Sequence, residues 1–190
     1  TVNFVNCTFR CSSVQLFNTR GFVKFINNIT TNSTFTLCYF DGRISNPLSS
    51  FSALDNAFYA DLFVNSLFIN NCIFVNFDNP YIGSLSTTSP AVLHFANTVS
   101  GSQGLIAVQS CTFFNNTVIA SNSDYLTSNV SFNDCIVSRC SFISSVPATS
   151  RGYMFFIDCL VDVISTTYGL PSDTNITTPA FTNVLFNVDP

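Results

Sequence analysis

Two stretches of the sequence decide the fold: Phe132-Asn133-Asp134-Cys135-Ile136-Val137 and, 24 residues later, Phe156-Ile157-Asp158-Cys159-Leu160-Val161. In each, a large apolar residue is followed two positions later by a polar residue, then by Cys, and two positions after the Cys by another large apolar residue. A repeat with a period of a few tens of residues indicates a stacked solenoid. The pattern occurs seven times, and we number these copies 1 to 7 by the residue at the Cys position: Cys7, Cys38, Cys72, Cys111, Cys135, Cys159 and Val184.

The apolar positions within a copy predict a bend in the chain. They fall five and three residues before the Cys, and then at the Cys and two residues after it. Because residues on one side of a strand keep the same parity, a single straight strand cannot bury both sets. The chain must turn at the residue before the Cys, where Asn, Ser and Asp tolerate left-handed or bridge conformations. This bend residue is Asn6, Asn71, Ser110, Asp134, Asp158 or Asn183 in six copies, and Leu37 is the exception.

The spacing of the copies and the composition predict the architecture. Successive Cys positions are 31, 34, 39, 24, 24 and 25 residues apart, and 24 residues can hold three short strands and three turns. The longer copies should carry inserted loops, around residues 41–60 and 79–104. With 47% hydrophobic and 8% charged residues, no Trp and abundant Phe, Asn, Ser and Thr, strand and turn formers dominate.

We therefore predict an all-β protein, a single-stranded parallel β-helix (solenoid) of about seven coils with inserted loops. Residues 1–190 should form a single domain, which could also be a segment of a longer solenoid. The competing fold is a sandwich of eight or more strands, because short strands separated by regular turns would give the same composition.

The tetrapeptide Phe-x-x-Asn also recurs, as Phe25-Ile26-Asn27-Asn28, Phe68-Ile69-Asn70-Asn71 and Phe113-Phe114-Asn115-Asn116. With it, the pattern resembles the right-handed parallel β-helix proteins of the pectin-lyase-like superfamily, and more narrowly the polymorphic-membrane-protein type of repeat. The resemblance implies the architecture and an adhesin role. The Gly-Gly-Ala motif of that repeat is absent here, as are the Asn-Thr-Asp, Gly-His-Gly and Arg-Ile-Lys motifs of the superfamily's enzymes.

The charge distribution argues against several partners. The net charge is -4 and the six basic residues are scattered, so no patch could neutralise a nucleic-acid backbone or attract anionic lipid strongly. The apolar runs are interrupted by Asn, Asp or Ser well before the roughly 20 residues that a spanning helix needs. We expect neither nucleic-acid binding nor membrane insertion.

The cysteines allow two interpretations. Stacked copies would bring their α-carbons within the disulfide range of about 4.4 to 6.8 Å, or Cys could serve as a small buried apolar residue, which Val184 at the equivalent position favours. Cys11 and Cys140 fall outside the repeated position and are the disulfide candidates. His94 is the single His and no Cys-x-x-Cys pair occurs, so we expect no metal site and no cofactor.

Asp134 and Asp158 precede Cys in successive copies, and Asp162 follows nearby. Stacked carboxylates could bind calcium or carbohydrate, or perform the acid and base steps of glycoside hydrolysis. The simpler interpretation is that they are solvated turn residues in the place that Asn takes elsewhere. A nucleophilic triad would need His94, which lies in a strand-like run, so we expect no catalytic residue.

Eight Cys and a low Lys and Glu content favour a secreted protein, whereas the N-glycosylation sequons are no more frequent than chance would give at this Asn, Ser and Thr content. We therefore expect an extracellular or cell-surface glycoprotein with a structural or adhesive role. The first and last copies show no amphipathic helix that would cap them, so we expect self-association through the terminal coils, end to end in a fibril. The alternative is a polysaccharide-binding or polysaccharide-cleaving β-helix protein. The glycan candidates are Asn6, Asn28, Asn32, Asn115, Asn129 and Asn175.

Overall fold

A computed structural model describes most of the repeated segments of the chain. It covers residues 1–11, 21–25, 32–45, 56–61, 66–77, 92–96, 105–116, 118–122, 130–140, 142–145, 154–163 and 180–187. Within these residues the secondary structure consists of strands and turns, with no helix. The strands are β1 (Val2–Val5), β2 (Thr8–Cys11), β3 (Gly21–Phe25), β4 (Ser33–Thr36), β5 (Tyr39–Ile44), β6 (Asn56–Asp61), β7 (Leu67–Asn70), β8 (Ile73–Val75), β9 (Leu93–Ala96), β10 (Ile106–Gln109), β11 (Thr112–Phe114), β12 (Val118–Asn122), β13 (Val130–Asn133), β14 (Ile136–Cys140), β15 (Phe142–Ser145), β16 (Met154–Ile157), β17 (Leu160–Val163), β18 (Ala180–Thr182) and β19 (Leu185–Asn187).

These strands form three parallel sheets. Sheet A has the order β1-β4-β7-β10-β13-β16-β18, sheet B the order β2-β5-β8-β11-β14-β17-β19, and sheet C the order β3-β6-β9-β12-β15. Each strand pairs with the strand that occupies the same place one copy away, as when Phe4 pairs with Phe35 and Phe35 with Ile69. The protein is therefore all-β with strands in parallel sheets, consistent with a parallel β-solenoid. Parallel pairing also excludes the sandwich, whose sheets are antiparallel.

The predicted bend between two strands is confirmed, because one strand of sheet A precedes every bend and one strand of sheet B follows it. The expected loops are only partly right. Residues 41–60 contain the end of β5 and most of β6, and residues 79–104 contain β9. Sheet C therefore runs through segments that the sequence presented as inserts, because its strands begin at unequal distances from the Cys of their copy.

The interior is a set of aromatic columns that run from copy to copy. On the inner face of sheet B, Phe9, Phe40, Phe74 and Phe113 stack with ring centroids 4.5 to 5.0 Å apart. On sheet A, Phe132 and Phe156 stack at 4.5 Å with an interplanar angle of 3°. Parallel, in-register strands place like side chains one strand spacing apart, roughly 4.8 Å, which is the stacking distance of aromatic rings. The same register thus aligns the backbone and fills the core.

Candidate functional site

The bend between sheets A and B is the most regular feature of the molecule, and we call it the first corner. Its bend residue has a positive φ, between 51° and 57°, in all seven copies. The prediction of the bend is confirmed in every copy. It holds even in copy 2, where Leu37 has φ 57° although a left-handed backbone is unfavourable for Leu. The residues are Asn6, Leu37, Asn71, Ser110, Asp134, Asp158 and Asn183.

Two backbone hydrogen bonds join the first corners of neighbouring copies. The N–H of the bend residue donates to the carbonyl two residues before the Cys position of the next copy, as from Asn6 to Thr36 at 2.9 Å. The N–H that follows the Cys position donates back to the carbonyl at the Cys position of the preceding copy, as from Tyr39 to Cys7 at 2.9 Å. Both bonds occur at all six steps, with lengths of 2.9 to 3.1 Å. The first corner therefore has the same hydrogen-bonding pattern at every step from copy to copy.

The cysteines of the repeat form a thiol column inside this corner. From copy 2 to copy 6 they are at most 2% exposed, and all of them carry free thiols. The Sγ of Cys72 donates to the carbonyls of Asn70, at 3.3 Å, and of Phe35 in the preceding copy, at 3.5 Å. Cys38, Cys111, Cys135 and Cys159 repeat both contacts. The interpretation as buried apolar residues is confirmed for burial, but it missed these contacts, because the carbonyl acceptors belong partly to another copy.

The sulfur atoms also accept backbone hydrogen bonds. The N–H of Cys38 donates to the Sγ of Cys72 at 3.4 Å, and the N–H of Cys72 donates to the Sγ of Cys111 at 3.3 Å. An N–H that follows a left-handed residue points into the corner, where an unpaired donor would be costly. Cys therefore supplies a small side chain with a weak donor and a weak acceptor. Val184 fills the space in copy 7 without either function.

The thiols of the column differ in how tightly they hold their protons. Burial raises the pKa of Cys38 above its ordinary value. A side-chain hydrogen bond with the neighbouring cysteine raises the pKa of Cys111 and of Cys135, and burial adds to the effect. The same bonds lower the pKa of the partner thiols, that of Cys72 and that of Cys159, the latter to about 7. Because the thiolate is the nucleophile and the metal ligand, Cys38, Cys111 and Cys135, whose pKa is raised, are suited to packing rather than to chemistry.

A second corner separates sheets B and C, and the two disulfide candidates lie there. Cys140 is a fully buried free thiol whose Sγ donates to the carbonyl of Ser138 at 3.4 Å. Burial raises its pKa to about 12. Cys11 is half-buried and pairs with Ile44 in copy 2. The two cysteines belong to copies 1 and 5, four strand steps or roughly 19 Å apart, so they cannot bridge each other.

Side-chain amides form a polar ladder along the second corner. The Nδ2 of Asn115 donates to the Oδ1 of Asn76 at 3.0 Å, and the Nδ2 of Asn76 donates to the Oδ1 of Asp41 at 2.9 Å. Asp41 also accepts from the backbone N–H of Arg43 at 3.1 Å. Asn76 and Asn115 have φ values of 61° and 54°. Sequence reasoning missed this ladder, although the repeated Asn four residues after Cys72 and Cys111 was a usable signal.

Asn116 is a buried polar residue that completes the second corner. It is 2% exposed, its Oδ1 accepts from the N–H of Phe77 at 3.0 Å, and its Nδ2 donates to the carbonyl of Phe74 at 3.1 Å. Both partners are backbone groups of the preceding copy. One side chain thus satisfies two buried groups that the irregular bend leaves without a strand partner.

The three aspartates that were candidates for carbohydrate or calcium binding have separate environments. Asp134 and Asp158 are exposed bend residues of adjacent copies, with φ 52° and 53°. The Oδ1 of Asp158 accepts from the Nδ2 of Asn183 at 3.0 Å. Asp162 is half-buried on sheet B and its Oδ2 accepts from the hydroxyl of Ser138 at 3.2 Å. The structure therefore stacks the first two at the first corner and places Asp162 on the following strand.

The other candidates are distributed along the molecule. His94 lies in β9, in register with Tyr59 and Ser121. In the part of the chain that the structure describes, no three His, Cys, Asp or Glu side chains are grouped so that they could hold a metal ion. The sequon residues Asn6 and Asn32 are exposed and Asn115 is half-buried. Asn28, Asn129 and Asn175 lie outside the described residues.

The outer face of sheet B carries a column of exposed apolar side chains. Each follows the Cys position of its copy, and the exposed fractions range from 40% to 67%. In-register pairing places Ile136, Leu160 and Leu185 one above another, whereas Thr112 of copy 4 separates them from Ile73. Contiguous exposed apolar surface of this kind is typical of interaction sites. The members are Ile73, Ile136, Leu160 and Leu185.

Comparison with family models, with curated proteins and with solved structures finds no match to this chain. In the described ranges, no helix has the length and apolar character to cross a bilayer. The features of this chain that bear on function are therefore the regular corners, the thiol column, the polar ladder and the outer face of sheet B.

Proposed function

We propose that the protein is an extracellular, non-enzymatic structural or adhesive glycoprotein, built as a single-stranded parallel β-helix of seven coils. One observation carries the proposal: every step from copy to copy repeats the same two corner hydrogen bonds, with lengths of 2.9 to 3.1 Å. A molecule that extends by identical steps is a rod, and rods serve as spacers, fibre subunits and supports for binding surfaces.

The side chains support a structural role. The thiol column, the aromatic columns and the polar ladder all consist of interactions between copies, so they stiffen the rod along its axis. Sheet B presents the exposed apolar column, including Ile136 and Leu160, as an adhesive surface. The exposed sequon residues Asn6 and Asn32 are positions at which N-linked glycans would project into solvent.

Localisation and glycan occupancy decide this proposal. An antibody raised against the chain should detect it at the surface or in the medium of the source cells, and treatment with peptide-N-glycosidase should lower its mass. Detection only inside the cells, with no mass change, would overturn the proposal. Six of the eight cysteines are buried free thiols, five of them in the thiol column and the sixth, Cys140, at the second corner, so they need no disulfide. The cysteine count alone is therefore no argument for secretion.

The alternative function is binding or cleavage of polysaccharide at Asp134, Asp158 and Asp162. The observation that favours it is the stacking of Asp134 and Asp158 at one exposed corner. Wild type, Asp158→Asn and the control Asp41→Asn should be assayed on uronic-acid polymers for cleavage and for retention. Activity or retention that is lost in Asp158→Asn and kept in Asp41→Asn would replace the structural proposal with this one.

A further inference from the structure

One pair of cysteines in the thiol column differs from the rest in its neighbours. From copy 2 to copy 5, each Cys position is followed in the next copy by another Cys, but the place after Cys159 is taken by Val184. Cys159 is therefore stacked on a single thiol of the column, that of Cys135 in the preceding copy. Within the column, a sulfur–sulfur bond to Cys159 can come only from Cys135.

The backbone holds these two cysteines at a separation that suits a disulfide. The strands before them, β13 and β16, pair in register, and so do the first residues of the strands after them, β14 and β17. The N–H of Leu160 donates to the carbonyl of Cys135 at 2.9 Å. Two residues stacked in this way lie one strand spacing apart, roughly 4.8 Å. That separation is within the range of about 4.4 to 6.8 Å that disulfide-bonded α-carbons span.

The two sulfur atoms are linked by a hydrogen bond between the copies. It joins the side chains of Cys135 and Cys159, and the Sγ of Cys159 also donates to the carbonyl of Phe132 in copy 5 at 3.5 Å. The Sγ of Cys135 donates to the carbonyl of Val108 in copy 4 at 3.6 Å. A disulfide replaces this last contact, because Cys135 must turn about χ1 to bring its sulfur to the S–S distance of about 2.05 Å.

The pair divides the work of a reactive dithiol between its members. The hydrogen bond from the Cys135 side chain lowers the pKa of Cys159 to about 7, although burial opposes the shift. The same bond, with burial, raises the pKa of Cys135. Cys159 thus supplies the thiolate that attacks an oxidant, whereas Cys135 is unreactive until the sulfur beside it has been oxidised.

Burial restricts which oxidant can reach the pair. Cys159 is 2% exposed and Cys135 is 0% exposed. An oxidant that enters this interior has to be small and uncharged, since burying a charge is costly. Hydrogen peroxide has both properties and oxidises a thiolate directly to a sulfenic acid.

We propose that Cys135 and Cys159 are an oxidation site for hydrogen peroxide and form a disulfide that ties copy 5 to copy 6. The Cys159 thiolate attacks one peroxide oxygen and the O–O bond breaks, which leaves a sulfenic acid and a hydroxide that takes up the Cys159 proton as water. The Cys135 sulfur then bonds to the Cys159 sulfur, the S–O bond breaks, and the Cys135 proton leaves with the hydroxide as a second water. Two thiols lose two electrons and one peroxide gains them. This modification goes beyond the proposed structural function and does not rest on it.

Peptide mapping of the 190-residue chain tests the proposal. Trypsin cleaves after Arg43, Arg139 and Arg151, so Cys135 falls in residues 44–139 and Cys159 in residues 152–190. After peroxide treatment, removal of the peroxide with catalase and alkylation of the remaining thiols under denaturing conditions, these two peptides should be joined until a reductant is added. The joined species should be about 2 Da lighter than the sum of the two peptides, because two hydrogens are lost.

Two matched substitutions identify the partner of Cys159. Cys135→Val removes the partner and the hydrogen bond, so residues 152–190 should stay unjoined and Cys159 should be oxidised more slowly. Cys111→Val is the control, because it makes the same change on the other side of Cys135, and it should give the joined peptides as wild type does. Fragmentation of the joined wild-type peptides should locate the bond at Cys135.

The wild-type result decides the matter even if circular dichroism shows that Cys135→Val is unfolded. Wild type that keeps Cys159 reduced, at a peroxide concentration that oxidises the same chain in urea, would overturn the inference. A bond from Cys159 to Cys72 or Cys111, or joined peptides that persist in folded Cys135→Val, would overturn it as well. None of these outcomes depends on where the protein is located or on whether it carries glycans.

Discussion

The two corners that the structure describes satisfy the backbone groups of a bend in different ways. At the first corner, seven copies use the same φ, the same pair of backbone bonds and an apolar or thiol side chain inside the turn. At the second corner, copies 3 to 5 use Asn76, Asn115 and Arg139 at positive φ, and the interior positions are Phe77, Asn116 and Cys140. The first corner repeats the same backbone bonds at every step, whereas the second corner relies on particular side chains such as Asn76, Asn115 and Asn116.

Copy 2 shows how irregular the second corner is. A Cβ on Gly42 would lie 2.8 Å from the carbonyl oxygen of Asn76 and 2.7 Å from the ring of Phe77. Glycine is needed there for space, because the backbone and ring of copy 3 occupy the volume of a side chain. No such close approach is needed at the first corner, where Leu37 is accommodated with 57% of its side chain exposed.

The comparison predicts that the second corner depends most on a single side chain. Asn116→Ala would leave the N–H of Phe77 and the carbonyl of Phe74 buried and unpaired, at a cost of about 2 to 5 kcal/mol in the free energy of unfolding. Chemical denaturation checks this. Gln109→Ala, an exposed residue next to the first corner, is the control and should stay within about 0.5 kcal/mol of wild type. Equal effects of the two substitutions would remove the distinction between the corners.

Alkaline pH should test the thiol of the second corner. The folded pKa of Cys140 is about 12 and its ordinary value is 9.0, so the folded protein keeps a proton that the unfolded chain loses. Stability from this group is complete below pH 9 and falls as pH rises from 9 to 12, by about 1.4 kcal/mol per pH unit.

Measuring wild type and Cys140→Ala side by side isolates this contribution, because other titrating groups affect both proteins. The destabilisation caused by the substitution should shrink across pH 9 to 11. A difference between the two proteins that stays constant with pH would contradict the buried, protonated thiol.

The thiol column of the first corner should respond more moderately. Cys111→Val keeps an apolar side chain but leaves the N–H of Cys72 without its sulfur acceptor, so we expect a loss of about 1 to 3 kcal/mol. Val184→Cys is the reverse change and should be neutral or stabilise by up to about 1 kcal/mol. Thermal or denaturant unfolding of the pair measures both. Column hydrogen bonds contribute nothing if Cys111→Val is as stable as wild type.

The smallest expected effect is a gain at the first corner. Leu37 has φ 57°, and a left-handed backbone costs an ordinary residue about 1 to 2 kcal/mol, whereas Asn tolerates it. Leu37→Asn should therefore stabilise the protein by about 0.5 to 1 kcal/mol. Ile73→Asn, also exposed but located in β8, should give no gain. If both substitutions act alike, exposure rather than backbone strain explains the effect.

Much of the first corner could be predicted from the sequence, and little of the second. The parity of the apolar positions requires a turn at the bend residue, and this holds even for Leu37, whose residue type argues against it. Asn116 could not be identified as buried, because the groups it satisfies, Phe77 N–H and the Phe74 carbonyl, lie 39 and 42 residues away along the chain. Strands β6 and β9 were concealed in segments that resemble loops, since they follow the bend at unequal distances.

The all-β class, the repeat and the place of the first corner follow from the residues alone, because alternation along a strand and tolerance of a left-handed backbone are local properties. The third sheet, the polar ladder from Asn115 to Asp41 and the contacts of the thiol column are visible only in the tertiary structure. Each of these depends on which residues the stacking of copies brings side by side. The physical reason is that a hydrogen bond between copies needs a donor and an acceptor from segments whose separation along the chain varies, so no local pattern encodes it.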